Sequence, residues 1–135
     1  MIIYGKVPKS HLKAIAYFSD RLISRQLARH LQITVRYKKT KNYWGLTSIE
    51  DYVNDKPRHF VIEVNKFLSE REKIMTIAHE MVHVKQYAYN EMNEEMTMWR
   101  GKNIDGEKIP YIDQPWEKEA YKVGDKIFGD YYGDV

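Results

Sequence analysis

The segment His79-Glu80-Met81-Val82-His83 constrains this 135-residue chain more than any other stretch of it. Two imidazoles four residues apart meet at one point only if the backbone between them is helical, because side chains at i and i+4 stand one above the other on one face. The flanking residues supply that helix. Ser69, with Glu72 three residues later, makes a capping box, and Ile74, Ile77, Ala78, Met81, Val82 and Ala88 then recur at spacings of three and four. The pattern predicts a helix that starts near residue 69 and runs to about Tyr89, with an apolar stripe toward a core and the histidines along its edge. Converging imidazoles bind divalent metals. Zinc takes imidazole nitrogen and carboxylate oxygen readily, and open sites leave one of its four positions to water. Glu80 lies about a quarter turn from His79 and can reach such a water as a general base.

A third ligand is needed, and His83 is the last histidine of a chain without cysteine, so downstream only oxygen donors remain. Pro115-Trp116-Glu117-Lys118-Glu119-Ala120-Tyr121 reads as the first turns of a second helix, with Pro115 at the first helical position after Asp113 or Gln114. Glu117 is the foremost candidate and Glu119 the alternative. Two residues apart on a helix point to nearly opposite sides, so only one of them can face the metal.

An HExxH helix followed by a Glu-x-Glu-Ala helix resembles the gluzincin group of zinc peptidases. The metzincin pattern is ruled out, since Gln86 and Tyr89 stand where it needs Gly and His. With Trp99-Arg100-Gly101-Lys102, Tyr111 and Pro115-Trp116-Glu117, the resemblance extends to small metallopeptidase-like proteins of tailed bacteriophages and covers roughly residues 69 to 125. It implies a zinc metallopeptidase with Zn2+ on His79, His83 and Glu117, a protein or peptide substrate, and a cytoplasmic location, that of the host if phage-encoded. It also implies that the strand before the metal helix, residues 60 to 64, forms the sheet edge and binds extended substrate; an ordinary core strand is the alternative. Many relatives place Asn or Asp after the alanine to support the metal ligands, whereas this chain has Tyr121. Tyr111 and Tyr121 are candidate donors to a developing oxyanion, set against a role as buried structural tyrosines.

With 43% hydrophobic residues and no break in composition, residues 1 to 135 fit one domain. The expected fold is α+β and zincin-like: an N-terminal helix, a small mainly antiparallel sheet, the HExxH helix and a C-terminal ligand helix. Leu12, Ile15, Phe18, Leu22, Ile23, Leu27 and Leu31 predict a helix over residues 10 to 31, with Ser10 as its cap. Ile33, Val35 and Tyr37 alternate with polar residues, as do Phe60, Ile62 and Val64 with their neighbours, and a weaker strand lies near residues 43 to 49. Asp105-Gly106 reads as a hairpin turn over the cleft, and residues 129 to 135 as a loose tail. His11, His30 and His59 lack ligand spacing and read as exposed or satisfied.

The first eight residues are too short an apolar run for a signal peptide, and no stretch reaches membrane-span length, so a soluble intracellular protein is expected. The net charge of +3 hides an asymmetry: residues 1 to 68 hold thirteen Lys and Arg against five acids, residues 69 to 135 nine against fourteen. Arg36, Lys38, Lys39, Lys41 and Arg58 interleave with Tyr37, Tyr43 and Trp44, a composition able to meet nucleic acid. A SprT-like protease acting on nucleic-acid-bound proteins is therefore one alternative, though such proteases use a third histidine absent here. A zinc-containing binding or assembly module without turnover is another, with the intact Glu80 against it.

Overall fold

Phe60, Val61, Ile62 and Val64 are all buried, and a strand covered on both faces belongs inside a sheet rather than at its rim. The computed structural model describes residues 1–134 and places that strand accordingly. The chain runs β1 (Ile2–Tyr4), α1 (Lys9–Leu22), α2 (Arg25–Ala28), β2 (Gln32–Lys38), β3 (Gly45–Val53), β4 (Lys56–Asn65), α3 (Glu70–Ala88), β5 (Met98–Trp99), β6 (Lys102–Asn103) and α4 (Pro115–Asp134). Two 3-10 turns, Gly106–Lys108 and Tyr111–Asp113, precede α4. The α+β class and the order helix, sheet, HExxH helix, C-terminal helix are as expected.

The sheet itself is mixed rather than mainly antiparallel. Its order is β1-β2-β4-β3, with β1/β2 and β2/β4 parallel and only β3/β4 antiparallel. The chain passes from β2 across to β3 and returns through a hairpin, so β4 slots between them. Asn54 and Asp55 make that hairpin with φ of 52° and 63°, the doubly left-handed turn that suits the twist of paired strands. Residues 60 to 64 are therefore central, and the edge beside the helix that follows β4 is β3.

Phe60, Ile62 and Val64 join Ile33 and Val35 in one core with Ile15 and Phe18 of α1, Ile77 and Met81 of α3, and Ala120 and Phe128 of α4. α3 is buried on nearly every side, with its N-terminal capping box formed as expected. It ends at Ala88, where Asn90 takes the left-handed conformation (φ 57°) common just beyond a helix. α4 crosses it closely: a Cβ at Gly124 would lie 3.2 Å from His79 Cα.

Three expectations are corrected. The helix over residues 10 to 31 breaks at Ile23 and Ser24, because the Ser24 side chain accepts from Leu27 N and starts α2 instead. The apolar spacing persists across the break since Ile23 and Leu27 serve the same core; Ser10 lies inside α1 and caps nothing. The turn after α3 is Arg100-Gly101, with φ of 49° and 81°, between β5 and β6; Asp105-Gly106 begins a 3-10 turn. Residues 129 to 134 are helical, because Tyr131 packs edge-on against Tyr17 and Phe18 and that burial outweighs the low helix propensity of two glycines. No helix among the described residues is long and apolar enough to cross a membrane.

The close approach at Gly124 makes a sharp test of this packing. Alanine there would gain up to about 1 kcal/mol of helix propensity, but valine sets branched methyls against the His79 backbone. Gly124→Val is expected to lower stability by about 1–3 kcal/mol in urea denaturation.

Candidate metal centre

α3 brings His79 and His83 to the same side, with ring centroids 5.0 Å apart. α4 lays Glu117 across both: its Oε1 is 3.1 Å from His79 Nε2 and 3.2 Å from His83 Nε2. One ligand atom from each of the three lies within 4.8 Å of the others. Two imidazole nitrogens and a carboxylate oxygen drawn to one point can hold a metal ion, and this donor set fits one because the three atoms converge within 4.8 Å of one another.

The Glu117 and Glu119 alternatives resolve as helix geometry requires. Glu119 points away from the histidines and pairs with Arg100 Nη2 and with Lys85 Nζ at 3.5 Å. It serves the site indirectly. Gln86 Nε2 donates to Trp116 O at 3.0 Å and to Glu119 Oε1 at 3.2 Å, both of which only accept. The amide must therefore turn Oε1 toward His83 Nδ1, 2.8 Å away, which places a proton on Nδ1 and aims Nε2 at the centre. The sequence identified no support for the ligands; Gln86, one turn beyond His83 and wholly buried, provides it.

Glu80 is buried beside the ligands at 5% exposure. Thr47 Oγ1 donates to its Oε1 at 2.7 Å and lies 3.2 Å from its backbone oxygen. Register explains the meeting: Thr47 pairs with Ile62 and Gly45 with Val64, so both face the helices. Gly45 must be small, since a Cβ there would come within 2.4 Å of Thr76 Cγ2 and 3.1 Å of Glu80 Cγ. Neither residue carries a motif, and only the pairing of β3 with β4 reveals them.

Tyr111 and Tyr121 are not buried structural tyrosines; they are 55% and 50% exposed at the mouth of the site. Tyr111 donates to Glu117 Oε1 at 2.9 Å, its hydroxyl lies 3.4 Å from that of Tyr121, and the Tyr121 ring sits 4.5 Å from that of His79. Partial desolvation of its hydroxyl, with hydrogen bonds to Tyr121 and Glu117, raises the pKa of the Tyr111 phenol above its usual range.

Without a metal, the two histidines and Glu117 hold one another. Burial works against charge on His83, but the hydrogen bond to Glu117 and the carboxylates of Glu80 and Glu117 outweigh it and raise its pKa to about 9. Burial likewise opposes ionisation of Glu117, yet hydrogen bonds from both histidines and Tyr111 pull its pKa far down.

The other three histidines lie away from this group among the described residues. His11 is buried and satisfied, 2.6 Å from Tyr37 Oη and 2.5 Å from Glu70 Oε1; His30 is exposed, and His59 lies 4.0 Å from Asp51. Basic and aromatic residues of β2 and β4 are partly committed elsewhere: Lys38 pairs with Glu63 at 2.7 Å, Tyr37 holds His11, and Arg58 donates to two backbone carbonyls. Comparison with protein-family models, with curated proteins and with solved structures gives no match to this chain.

Two outcomes follow from this geometry. Gln86→Leu keeps the volume but frees the His83 ring, and is expected to weaken divalent-metal binding about 10–100-fold, read with zinc as the probe in competition with a chelating dye. At pH 7 the metal-free protein carries a proton on His83 that a metal must displace, so affinity should fall as pH drops below about 9. Calorimetric titrations of zinc in buffers of differing ionisation heat should show proton release near pH 7 that fades above about 9.

Proposed function

We propose that the protein is a zinc-dependent metallopeptidase in which Glu80 is the general base. The observation that carries this reading is the meeting of His79, His83 and Glu117 beside a buried carboxylate held by Thr47. Two imidazoles and one carboxylate leave an open position on a tetrahedral ion, a donor set that suits zinc and differs from closed structural sites. Bound there, zinc would lower the pKa of a water and polarise a peptide carbonyl.

The chain's own groups complete the chemistry. Thr47 occupies one oxygen of Glu80, which fixes the carboxylate and leaves its other oxygen to take a proton and later return it to the leaving amine. The Tyr111 hydroxyl gives its one proton to Glu117 and steadies that carboxylate, while the Tyr121 hydroxyl beside it is a donor at the mouth, where an oxyanion would form. β3 pairs on one side only, so its outer edge offers backbone donors and acceptors to an extended peptide alongside Glu80. A cleft of ≈ 990 Å³ runs between that edge and the ligand helix, with room for several side chains.

Glu80→Gln preserves shape and the Thr47 contact but removes the base. It is expected to keep one zinc per chain by elemental analysis and to lose peptide hydrolysis by about 10²–10⁴-fold. Turnover unchanged in the zinc-loaded variant would sink the assignment of Glu80, and absence of hydrolysis by the zinc-loaded parent across a broad peptide library would leave a metal-holding module.

A further inference from the structure

The cleft differs in charge from the chain that forms it. The protein has 22 Lys and Arg, yet none of them lines the cleft. Besides Glu80 and Glu117, its charged lining residues are Glu94 and Asp125. Among the described residues neither of these has a cation within ion-pair distance, whereas Glu63, Glu91, Glu119 and Asp130 each do. A divalent ion would be balanced by Glu80 and Glu117, so Glu94 and Asp125 leave two uncompensated negative charges facing the cleft. Low-dielectric walls focus such a field on whatever enters.

The walls near Glu94 are apolar and adaptable. Tyr87, one turn after His83, lines the cleft with Met92, Met96 and Trp116. Met92 and Trp116 are almost fully buried and form a firm floor. The Glu94 carboxylate is held by the Tyr52 hydroxyl at 2.8 Å, which orients it without neutralising it. Apolar walls of thioether and ring with a carboxylate at the rim match a side chain made of an aliphatic stem and a cationic head. A short or anionic side chain gains nothing from the walls and is repelled by the carboxylate.

Resting on the peptidase reading above, we propose that the substrates are cationic polypeptide segments, with a Lys or Arg side chain near the scissile bond seated along Tyr87, Met92, Met96 and Trp116 and paired with Glu94. Glu94 is thus a specificity-determining residue, and Asp125 adds to the attraction of basic segments.

Cleavage sites of the zinc-loaded parent are mapped by mass spectrometry on a peptide library derived from a whole proteome. Lys and Arg should be enriched at one fixed position beside the cut, at least about fivefold over Gln, the scale of a partly shielded charge pair. Glu94→Gln should remove the enrichment at that position, and Glu94→Lys should invert it toward Asp and Glu; circular dichroism establishes that both variants fold. Enrichment that survives in both variants, or an apolar preference in the parent, would overturn the proposal. Binding gives a readout independent of turnover. Labelled ten-residue peptides rich in Lys, Gln or Glu are titrated onto zinc-loaded Glu80→Gln, with and without Glu94→Gln, at two salt concentrations. Preference for the Lys peptide that depends on Glu94 and weakens with salt supports the assignment; equal binding of all three peptides refutes it. If the parent cleaves nothing while the Lys preference holds, the peptidase reading fails and the cationic ligand class stands.

Discussion

Everything at the candidate centre follows from burying α3 on nearly all sides while it carries His79, Glu80 and His83. Ionisable groups taken out of water must find partners, since an uncompensated buried charge costs several kcal/mol. Each neighbouring element supplies one. β3 gives Thr47 to Glu80, α4 gives Glu117 to both histidines, and α3 itself gives Gln86 to His83. The same contacts that satisfy the helix fix the direction of every donor atom, so desolvation and pre-organisation are one requirement here.

How much of this was legible depends on the range of the interaction that decides each feature. The capping box at Ser69 and Glu72, the two histidines and the Pro115 helix start are local, and they stand as the spacing predicts. The parallel pairing of β2 with β4 is not local. It depends on β4 being apolar on both faces, visible in Phe60-Val61-Ile62, against the usual tendency of successive strands to pair. The break at Ser24 was hidden because a single serine cap competes with a periodicity that continues beyond it. The C-terminal end departs from its local signals for the converse reason: Gly129 and Gly133 argue locally against a helix that Tyr131 makes by packing on Tyr17 and Phe18. Thr47 and Gln86 are ordinary residues in the sequence. Strand register selects the first, and the direction of the Trp116 carbonyl and Glu119 carboxylate selects the second.

Glu119 shows how one helix can serve the candidate centre twice. Glu117 faces the histidines, and two residues on, Glu119 faces the opposite way into a group of cations from α3 and the β5-β6 turn. Arg100, at φ 49° in that turn, and Lys85 on α3 close on one carboxylate, which in turn holds Gln86. The turn is thereby tied to the orientation of the His83 ring through Arg100, Glu119 and Gln86. Distortion of β5-β6 would reach the centre through hydrogen bonds rather than through the core.

In the metal-free site His83 and Glu117 form a charge pair, and this bears on how the protein would acquire an ion. With a proton on His83, the ring cation faces the Glu117 carboxylate, while Tyr111 donates to the same oxygen. A zinc finger has no core and folds only around its metal. Here Ile33, Phe60, Ile62, Ile77, Met81 and Phe128 form a continuous core away from the ligands, and the ligands already hold one another. Metal uptake is then an exchange of a cation for a proton at a prepared site, not a folding event. Its driving force is coordination less the loss of the His83–Glu117 pair, so strengthening that pair would stabilise the metal-free protein at the expense of affinity. Gln86 and Thr47 stand outside this trade-off, because their hydrogen bonds go to His83 Nδ1 and to Glu80 rather than to the three converging atoms.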